Sequence, residues 1–367
     1  MYLDGVWKWK YQARTEKETG YEHIIDSLNI VSVENFKKLP EAEQEPLVAE
    51  VIERIRQVNI FPIYYYNEKG IVDEIRRCIV TAPLKSSKPL VQHNTVGLTL
   101  LDFMFPNLHL AVSGSSTNGC MYDRFYDDER LARCITRHMK NYRFTNMRSP
   151  FFMYGRFFWS TPVNFNPTRA RAICEMFCEP GDTIYDYSCG YGARMLGTLA
   201  SNRNKYTYIG CEPANDTYHN LNRLGEYIES VTGRKESYKV FKEGSECLTL
   251  DSDSIDFAFS CPPYYRLERY CEEPTQSVEK YTVYDKWLEG YVRGTLSNIY
   301  NALKPGKLLG TVINDVYYAG KRYSLTADWQ RIATEQGFEF VEAYPINKRS
   351  RKQDGSVETL YIFKSRK

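Results

Sequence analysis

The sequence predicts an α/β fold with a mostly parallel sheet, preceded by an N-terminal extension that is mostly helical or mixed. From about Phe165 onward, short apolar strands alternate with longer helical segments, as is typical of βαβ units. A glycine-containing turn follows the first of these strands, where open α/β sheets bind ligands. Apolar residues make up 43% of the 367 residues and charged residues 26%, so a sizeable core can form.

Residues 1–160 are predicted to form a separate N-terminal domain. Apolar residues recur at helical spacing from Glu45 to Val58, and Pro46 suits the first turn of a helix. A second helix is expected at Glu68–Ile79, and a third from Asp123 through about Tyr142. No repeat or low-complexity linker separates the two predicted domains. The boundary at residue 160 therefore depends only on the start of alternating strands and helices near Phe165.

Residues 161–367 are predicted to form the α/β domain. A helix at 168–178 comes first, and the turn signal Glu179-Pro180-Gly181-Asp182 follows it. The expected strands are Thr183–Asp186, Tyr206–Cys211, Tyr238–Phe241, Ile255–Ser260 and Leu308–Asn314. The helices expected between them are Ala193–Ser201, Thr217–Thr232 and Tyr284–Leu303, the last ending at Lys304-Pro305-Gly306.

Composition excludes several classes of function. The net charge of +2 means that any affinity for nucleic acid has to come from a local basic face. The ten cysteines form no CxxC pair and match no zinc-ligand spacing, so we predict no metal site and a reducing compartment. The first residues, MYLDGVWKWKYQ, lack a long apolar run. We therefore expect a cytoplasmic protein without a membrane-spanning segment.

The turn Asp186–Gly192, DYSCGYG, is the candidate cofactor site. Glycine there lets the backbone turn sharply and approach a ligand closely. Glu212, at the end of the next strand, can accept hydrogen bonds from both ribose hydroxyls of an adenosine. The dinucleotide pattern GxGxxG is incomplete, because Met195 stands at its third glycine. An adenosyl ligand without phosphates therefore fits better than NAD.

The loop Cys261-Pro262-Pro263-Tyr264-Tyr265 is the candidate reaction site. Two consecutive prolines fix φ and remove two backbone donors, so the carbonyl that precedes them is held rigidly. An aromatic ring immediately afterwards can stack on a planar target. An exocyclic amine needs acceptors for its two hydrogens and a face to rest against, and these elements supply both.

The two motifs together, DYSCGYGARMLGTLA and SCPPYY, resemble the amino-methyltransferases that modify adenine N6 or cytosine N4 in DNA. That class has a (D/N/S)PP(Y/F) loop, and the resemblance implies a Rossmann-like seven-stranded sheet with S-adenosylmethionine as cofactor. The similarity is greater still to DNA methylases of large bacteriophages. That similarity implies an enzyme that modifies DNA in the host cytoplasm and takes part in restriction–modification or anti-restriction. The resemblance runs from about Gly97 to the C-terminus and is most specific between Asn164 and Trp287. The stretches that look like the phage group are NFNPTRARAI (164–173), YIGCEPANDTYHNL (208–221), YCEEPTQSVEKYTVYDKWLEGY (270–291) and ETLYIFK (358–364).

The resemblance also implies roles for individual residues. In the turn, the motif residues that would wrap the methionine part of the cofactor are Asp186, Ser188, Gly190 and Gly192. The residues that would hold the ribose or lie beside the adenine are Glu212, Pro213, Ser245 and Glu246. The preceding motif, which closes over the cofactor carboxylate, is matched by Phe165, Asn166 and Thr168.

Cys261 departs from the family pattern, which has Asp, Asn or Ser at this position. A thiol is a weak donor and a weak acceptor, so it orients an amine poorly. Three hypotheses remain open. Cys261 substitutes for Ser while the backbone near Pro262 does most of the work; the activity is altered or lost; or Cys261 attacks C6 of a pyrimidine to methylate C5.

The expected partner is double-stranded DNA with the target base flipped out of the stack. The basic residues predicted to contact its phosphates are Arg133, Arg137, Lys140, Arg143, Arg148, Lys348 and Arg349. One alternative is a catalytically silent protein of this fold that binds DNA. Another is a methyltransferase that acts on RNA or on a different atom of the base. The sequence does not determine an oligomeric state.

Overall fold

The computed structural model describes residues 33–81, 94–114, 119–142, 147–159, 161–346 and 358–367, together with Tyr21 and three short strands nearer the N-terminus. The chain divides into two compact units that are interleaved in sequence. Unit 1 comprises Met1–Ile71 and Pro106–Val163, and unit 2 comprises Val72–Phe105 and Asn164–Lys367.

Unit 1 is mainly helical in its described residues, as predicted. Its helices are Val33–Lys38, Glu41–Val58, Met121–Tyr126, Asp128–Met139 and Arg148–Phe158, with a 3₁₀ helix at Pro106–Leu110. Its short strands are Tyr2–Leu3, Val6–Trp7, Lys17–Glu18, Tyr65–Tyr66 and Val112–Ser113.

The single helix predicted from Asp123 is two helices. Asp127 separates them in an extended conformation, and its side chain accepts a hydrogen bond from Arg130 N at 3.0 Å. Aspartate is a preferred N-cap because its carboxylate satisfies a backbone donor that has no partner within the helix. The second helix therefore begins at Asp128 and ends at Met139.

A seven-stranded sheet forms the core of unit 2. Its strands are β1 (Thr183–Asp186), β2 (Thr207–Cys211), β3 (Tyr238–Phe241), β4 (Ile255–Ser260), β5 (Leu303–Ile313), β6 (Phe338–Pro345) and β7 (Thr359–Ser365). The order across the sheet is β6-β7-β5-β4-β1-β2-β3, and only β7 runs antiparallel to its neighbours. The predicted Rossmann-like fold class is confirmed.

In the described residues of unit 2, helices connect β1 to β2, β2 to β3, β4 to β5 and β5 to β6. The labelled ones are α1 (Pro167–Phe177), α2 (Ala193–Ala200), α3 (Asn215–Thr232), α4 (Gly294–Ala302) and α5 (Leu325–Glu335). Shorter helices span Leu98–Met104, Ser277–Lys280 and Tyr284–Trp287, and Glu68–Val80 crosses from unit 1 into unit 2. Short strands remain at Glu268–Arg269, Val316–Tyr318 and Lys321–Tyr323.

The helix predicted at Tyr284–Leu303 differs from the observed structure at two places. A π-helical segment, Leu288–Arg293, interrupts it, and Leu303 already pairs with Ile255 as the first residue of β5. Pro305 has no N–H to donate, and Gly306 has a φ of +70°, so the strand bulges between Leu303 and Leu308. The proline and glycine therefore mark a bulge inside the strand.

A buried arginine of α1 bonds to the end of the helix Glu68–Val80 within unit 2. Arg171 Nη1 donates to the carbonyls of Cys78, Ile79 and Thr81 at 3.2, 2.8 and 3.2 Å. These carbonyls come at the end of the helix Glu68–Val80, where the last carbonyls lack intrahelical donors. Arg171 thus satisfies a helix end that is distant in sequence.

Candidate active site

The two sequence motifs meet at the carboxyl edge of the sheet. In the sheet β4, β1 and β2 are consecutive neighbours and run parallel, so the loops that follow them emerge side by side. The loop after β1 contains the glycine turn, the loop after β2 begins at Glu212, and the loop after β4 begins at Cys261. This edge is the candidate site.

Asp186 joins the glycine turn Asp186–Gly192 to β4. Its Oδ1 accepts from Ser260 Oγ at 2.7 Å and from Ser188 N at 3.3 Å. Its Oδ2 accepts from Arg194 Nε and from Tyr208 Oη, both at 2.9 Å. A buried carboxylate requires such partners, and here they come from β2, β4, α2 and the turn itself. Asp186 therefore positions the site's backbone, and its partners were not identified from the sequence.

The two glycines of the turn have different surroundings. Both have left-handed backbones, with φ of +53° at Gly190 and +74° at Gly192. A Cβ on Gly192 would lie 2.7 Å from the Phe105 ring and 2.8 Å from the Leu224 side chain. A Cβ on Gly190 would meet only Ser188 O, at 4.0 Å. Gly192 is thus required by packing, whereas Gly190 leaves open space beside the turn.

Glu212 is a buried carboxylic acid at the end of β2. Its Oε2 accepts from Gly190 N at 3.1 Å and its Oε1 from Ala214 N at 3.0 Å. Burial raises the pKa of Glu212 to about 7, although these two hydrogen bonds oppose the shift. Each oxygen keeps a further lone pair for a donor such as a ribose hydroxyl.

The residues predicted to lie beside the adenine make hydrogen bonds within the protein. Ser245 Oγ lies 2.7 Å from Thr295 Oγ1, and Glu246 forms an ion pair of 2.7 Å with Lys280. The carbonyl of Pro213 accepts from a threonine hydroxyl of the long loop after β4. Thr295 and Lys280 carried no recognisable signal in the sequence. Contact of these residues with adenine stays a prediction.

The motif before α1 caps that helix. Asn166 Oδ1 accepts from Arg169 N at 3.1 Å and from Thr168 Oγ1 at 2.7 Å. The Phe165 ring lies 5.8 Å from Cζ of Arg169 and of Arg194, so two guanidinium groups flank it. Through Arg194 this segment adjoins the Asp186 cluster, which places it at the same edge of the sheet.

Cys261 and Tyr264 are hydrogen-bonded to each other in the reaction loop. Cys261 Sγ lies 3.3 Å from Tyr264 Oη, which donates its single hydrogen to Val312 O at 2.9 Å. The thiol is therefore the donor in the Cys261–Tyr264 pair. Burial raises the pKa of the Cys261 thiol to about 12, so the sulfur remains protonated near neutral pH. Pro262 is buried and Pro263 is half-buried beside this pair.

Tyr265 is part of the core. It is 5% exposed, has a φ of +50°, and donates its hydroxyl to Thr282 O at 2.9 Å. Its ring packs among those of Tyr284, Trp287 and Tyr323, with centroids 5.2 to 5.6 Å away. Tyr265 therefore packs against other aromatic residues in this structure, and Tyr264, which is half-buried, is the more accessible of the two rings.

Two of the predicted phosphate contacts of unit 1 lie on one helix. Arg133 and Arg137 are exposed one turn apart on Asp128–Met139, and Lys140 follows that helix. Arg133 Cζ lies 4.9 Å from the Phe158 ring, and Arg148 Cζ lies 4.8 Å from the Phe152 ring. The remaining candidates lie outside the described residues: Arg143, Lys348 and Arg349. Phosphate contact stays a prediction for all of them.

The described residues contain neither a metal-binding cluster nor a membrane-spanning helix. Within them, no three His, Cys, Asp or Glu side chains converge as a metal site would require. Of the helices that the structure describes, none has the length and apolarity needed to cross a bilayer.

Comparison with known proteins gives distant structural similarities. No protein-family model matches the chain, and no curated protein matches it. The cyclase SpnF is 11% identical, with a TM-score of 0.40 over 54% of this chain and 81% of that one. A TehB-like SAM-dependent methyltransferase from Corynebacterium glutamicum is 16% identical, with a TM-score of 0.35 over 59% and 96%. TrmN from Thermus thermophilus is 12% identical, with a TM-score of 0.37 over 54% and 48%.

These similarities are too distant to indicate what this chain binds or modifies. The strand order and the single antiparallel strand, both observed directly, establish the fold class.

Proposed function

We propose that unit 2 is an S-adenosylmethionine-dependent methyltransferase that acts on an exocyclic amino group of a DNA base, adenine N6 or cytosine N4. The observation that carries this proposal is the 2.7 Å hydrogen bond between Ser260 Oγ and Asp186 Oδ1. This bond joins Ser260, which precedes the Cys-Pro-Pro-Tyr loop, to Asp186, the first residue of the glycine turn. The two motifs of such an enzyme are thereby held at one edge of the sheet.

The residues at the turn fit an adenosyl ligand. Glu212 is 8% exposed, and within the described part of the chain its carboxyl group is bonded to backbone amides alone. A buried acid without a cationic partner is suited to the two hydroxyls of a ribose. The open space at Gly190 allows a ligand to approach the backbone. When bound, S-adenosylmethionine supplies a methyl group that its sulfonium has already activated.

The chain's own residues then bind and orient the base. Pro262 and Pro263 keep the loop rigid, and the bond from Tyr264 Oη to Val312 O fixes the Tyr264 ring. A flipped base stacks on that ring, and its amino group is oriented by backbone carbonyls of the loop. Because the methyl group is activated beforehand, positioning supplies much of the rate enhancement.

Cys261 opposes one of the three hypotheses for the loop and is compatible with the other two. A protonated thiol that donates to Tyr264 contributes little as an acceptor, which supports the hypothesis that the backbone near Pro262 orients the amine. A pKa of about 12 opposes covalent attack on a pyrimidine, since that attack requires a thiolate. The same weak acceptor favours the second candidate function, a catalytically silent DNA-binding protein of this fold.

The test is incubation of the full chain with labelled S-adenosylmethionine and DNA of varied composition, followed by nucleoside mass spectrometry. We expect N6-methyladenine or N4-methylcytosine. RNA competes in a parallel reaction, and a methylated RNA nucleoside would instead support the RNA alternative. No product with either nucleic acid, despite cofactor binding, would support the silent protein.

Tyr264→Ala tests the stacking role within the same assay. We expect turnover to fall on the order of 100-fold with cofactor affinity unchanged, because the base loses its stacking surface. Tyr264→Phe keeps the ring but loses the bond to Val312 O, so its turnover should lie between those of the wild type and Tyr264→Ala. Equal reductions of turnover and cofactor affinity in Tyr264→Ala would contradict the assignment.

We further propose that unit 1 supplies target recognition. Arg133 and Arg137 support this proposal, because two exposed cations one helical turn apart can contact successive phosphates of one strand.

A further inference from the structure

A π-helical segment interrupts the helical stretch that precedes β5. Tyr284–Trp287 is α-helical, Leu288–Arg293 is π-helical, and α4 continues the stretch from Gly294. A π-helical turn contains more residues than an α-helical one, so its side chains point in directions that an uninterrupted α-helix would not give. Such turns are rare and occur frequently at functional sites. The buried side chains of Leu288–Arg293 are therefore candidates for a role in the site.

Tyr291, in this π-helical segment, reaches the glycine turn. Its hydroxyl lies 3.1 Å from Ser188 Oγ, and the Ser188 hydroxyl donates its one hydrogen to Tyr187 O at 2.6 Å. Tyr291 is therefore the donor in its pair with Ser188. Burial raises the pKa of Tyr291, so the phenol keeps the proton that this hydrogen bond requires.

The ring of Tyr291 is fixed by its packing. It is 3% exposed and stacks on the fully buried Trp287 ring, with the two centroids 5.2 Å apart. The indole Nε1 of Trp287 donates in turn to Ser277 Oγ at 3.1 Å. A ring packed in this way presents its hydroxyl in one direction, which is toward Ser188.

The same helical stretch also contacts the second predicted cofactor loop. On α4, Asn298 Nδ2 donates to Ser245 O at 3.0 Å, and Thr295 Oγ1 lies 2.7 Å from Ser245 Oγ. The α-helical part thus contacts the loop predicted to lie beside the adenine. Tyr291, from the π-helical part, contacts the turn predicted to wrap the methionine part of the cofactor.

We propose that Tyr291 is a positioning residue of the cofactor site, which acts through Ser188 to hold the glycine turn in the conformation that binds the amino-acid part of S-adenosylmethionine. The Ser188 amide donates to Asp186. Its carbonyl accepts from Arg194 and Ser260. Loss of the Tyr291 hydroxyl would therefore release the Ser188 hydroxyl while these backbone bonds remain. The inference rests on the proposed function and adds a residue to the same site.

Isothermal titration calorimetry of the full chain with two ligands tests this role. S-adenosylhomocysteine has the whole amino-acid part, whereas methylthioadenosine keeps the adenosine and the thioether but lacks that part. We expect Tyr291→Phe to weaken binding of S-adenosylhomocysteine about fivefold, the effect of one lost hydrogen bond, and to leave binding of methylthioadenosine unchanged. A residue that only stabilises the fold would instead lower the binding stoichiometry and leave both affinities unchanged.

Ser188→Ala completes a double-mutant cycle. Since Tyr291 acts through Ser188, the combined variant should lose less affinity for S-adenosylhomocysteine than the product of the two single losses. Tyr300→Phe is the matched control. Tyr300 lies on α4, with its ring 5.2 Å from that of Phe338, the first residue of β6 and therefore at the amino edge of the sheet. Tyr300→Phe should bind both ligands like the wild type.

The outcomes separate this inference from the proposed function. Unchanged S-adenosylhomocysteine affinity in Tyr291→Phe, equal losses for the two ligands, or single losses that simply multiply would overturn the inference even if DNA is methylated. The expected losses without any methylated nucleoside would overturn the proposed function and leave the role of Tyr291 intact. A wild-type chain that binds neither ligand would overturn both.

Discussion

Asp186 and Glu212 are acids at the ends of neighbouring parallel strands, yet their surroundings differ. Asp186 accepts from the Arg194 guanidinium and from three further donors. The described contacts of the Glu212 carboxyl are to two backbone amides. A buried acid with a cationic partner is held as part of the structure, whereas a buried acid without one is available to a ligand.

This difference predicts pH-dependent binding of an adenosyl ligand. With its pKa raised to about 7, Glu212 is mostly protonated near pH 6 and mostly ionised near pH 8. Ribose hydroxyls donate best to the ionised form, so affinity should rise about tenfold between about pH 6 and about pH 8. Isothermal titration calorimetry with S-adenosylhomocysteine at each pH measures this affinity. Glu212→Gln should bind more weakly and without this rise.

The same shift has the opposite effect on folding. The folded protein holds the Glu212 proton more tightly than the unfolded chain does, so this group's contribution to the free energy of unfolding falls as pH rises from about 4.5 to about 7. Wild-type and Glu212→Gln chains that show identical pH dependence in both binding and unfolding would contradict the raised pKa.

At the scale of elements, the turn between β1 and α2 combines a glycine against the core with a glycine beside open space. Gly192 lies against Phe105 and Leu224, and Gly190 faces open space. The sequence predicted that glycine is needed in this turn. It could not distinguish the two positions, because Phe105 and Leu224 are remote in sequence and only folding brings them to Gly192.

Gly192→Ala and Gly190→Ala form a matched pair. Both place a Cβ on a left-handed backbone, which costs about 1 kcal/mol. Gly192→Ala also overpacks the core against Phe105, so its unfolding free energy should fall by about 2–4 kcal/mol in total. Chemical denaturation followed by tryptophan fluorescence measures the free energy of unfolding of each variant. We expect Gly190→Ala to lose only the backbone cost of about 1 kcal/mol while weakening S-adenosylhomocysteine binding.

Equal destabilisation by the two alanines would show that backbone strain alone requires these glycines. A stable Gly192→Ala chain would mean that Phe105 can move aside without cost.

At the scale of the whole molecule, the two units are interleaved. The boundary predicted at residue 160 lies near the observed change of unit at Val163, and the separate domains 1–160 and 161–367 stay a prediction. No pattern in the sequence indicated that residues 72–105 pack with unit 2. Arg171 makes part of that connection, together with the contact of Phe105 with Gly192, and a lone arginine in a helix does not reveal such a partner in the sequence.

Arg171→Gln tests this connection in the full chain. Arg171 is 8% exposed and donates to three carbonyls, so its replacement should lower the free energy of unfolding by about 3 kcal/mol. Amide hydrogen exchange should also speed up in residues 72–81. Arg223→Gln, on the exposed face of α3, is the control and should leave both unchanged. Unchanged exchange in Arg171→Gln would indicate that apolar packing alone holds the segment.

Strands β1, β3 and β4 were predicted with their observed bounds, and β2 to within one residue, because apolar runs and turn residues encode them locally. The sequence by itself also determined the order of cofactor turn and reaction loop, and the unusual thiol at Cys261. Only the tertiary structure decided what those residues contact. The bonds of Asp186 to Ser260, of Tyr264 to Val312 and of Arg171 to Thr81 depend on where whole strands and helices pack. Local periodicity specifies elements, whereas the burial of polar groups specifies partners, and that burial exists only once the chain has folded.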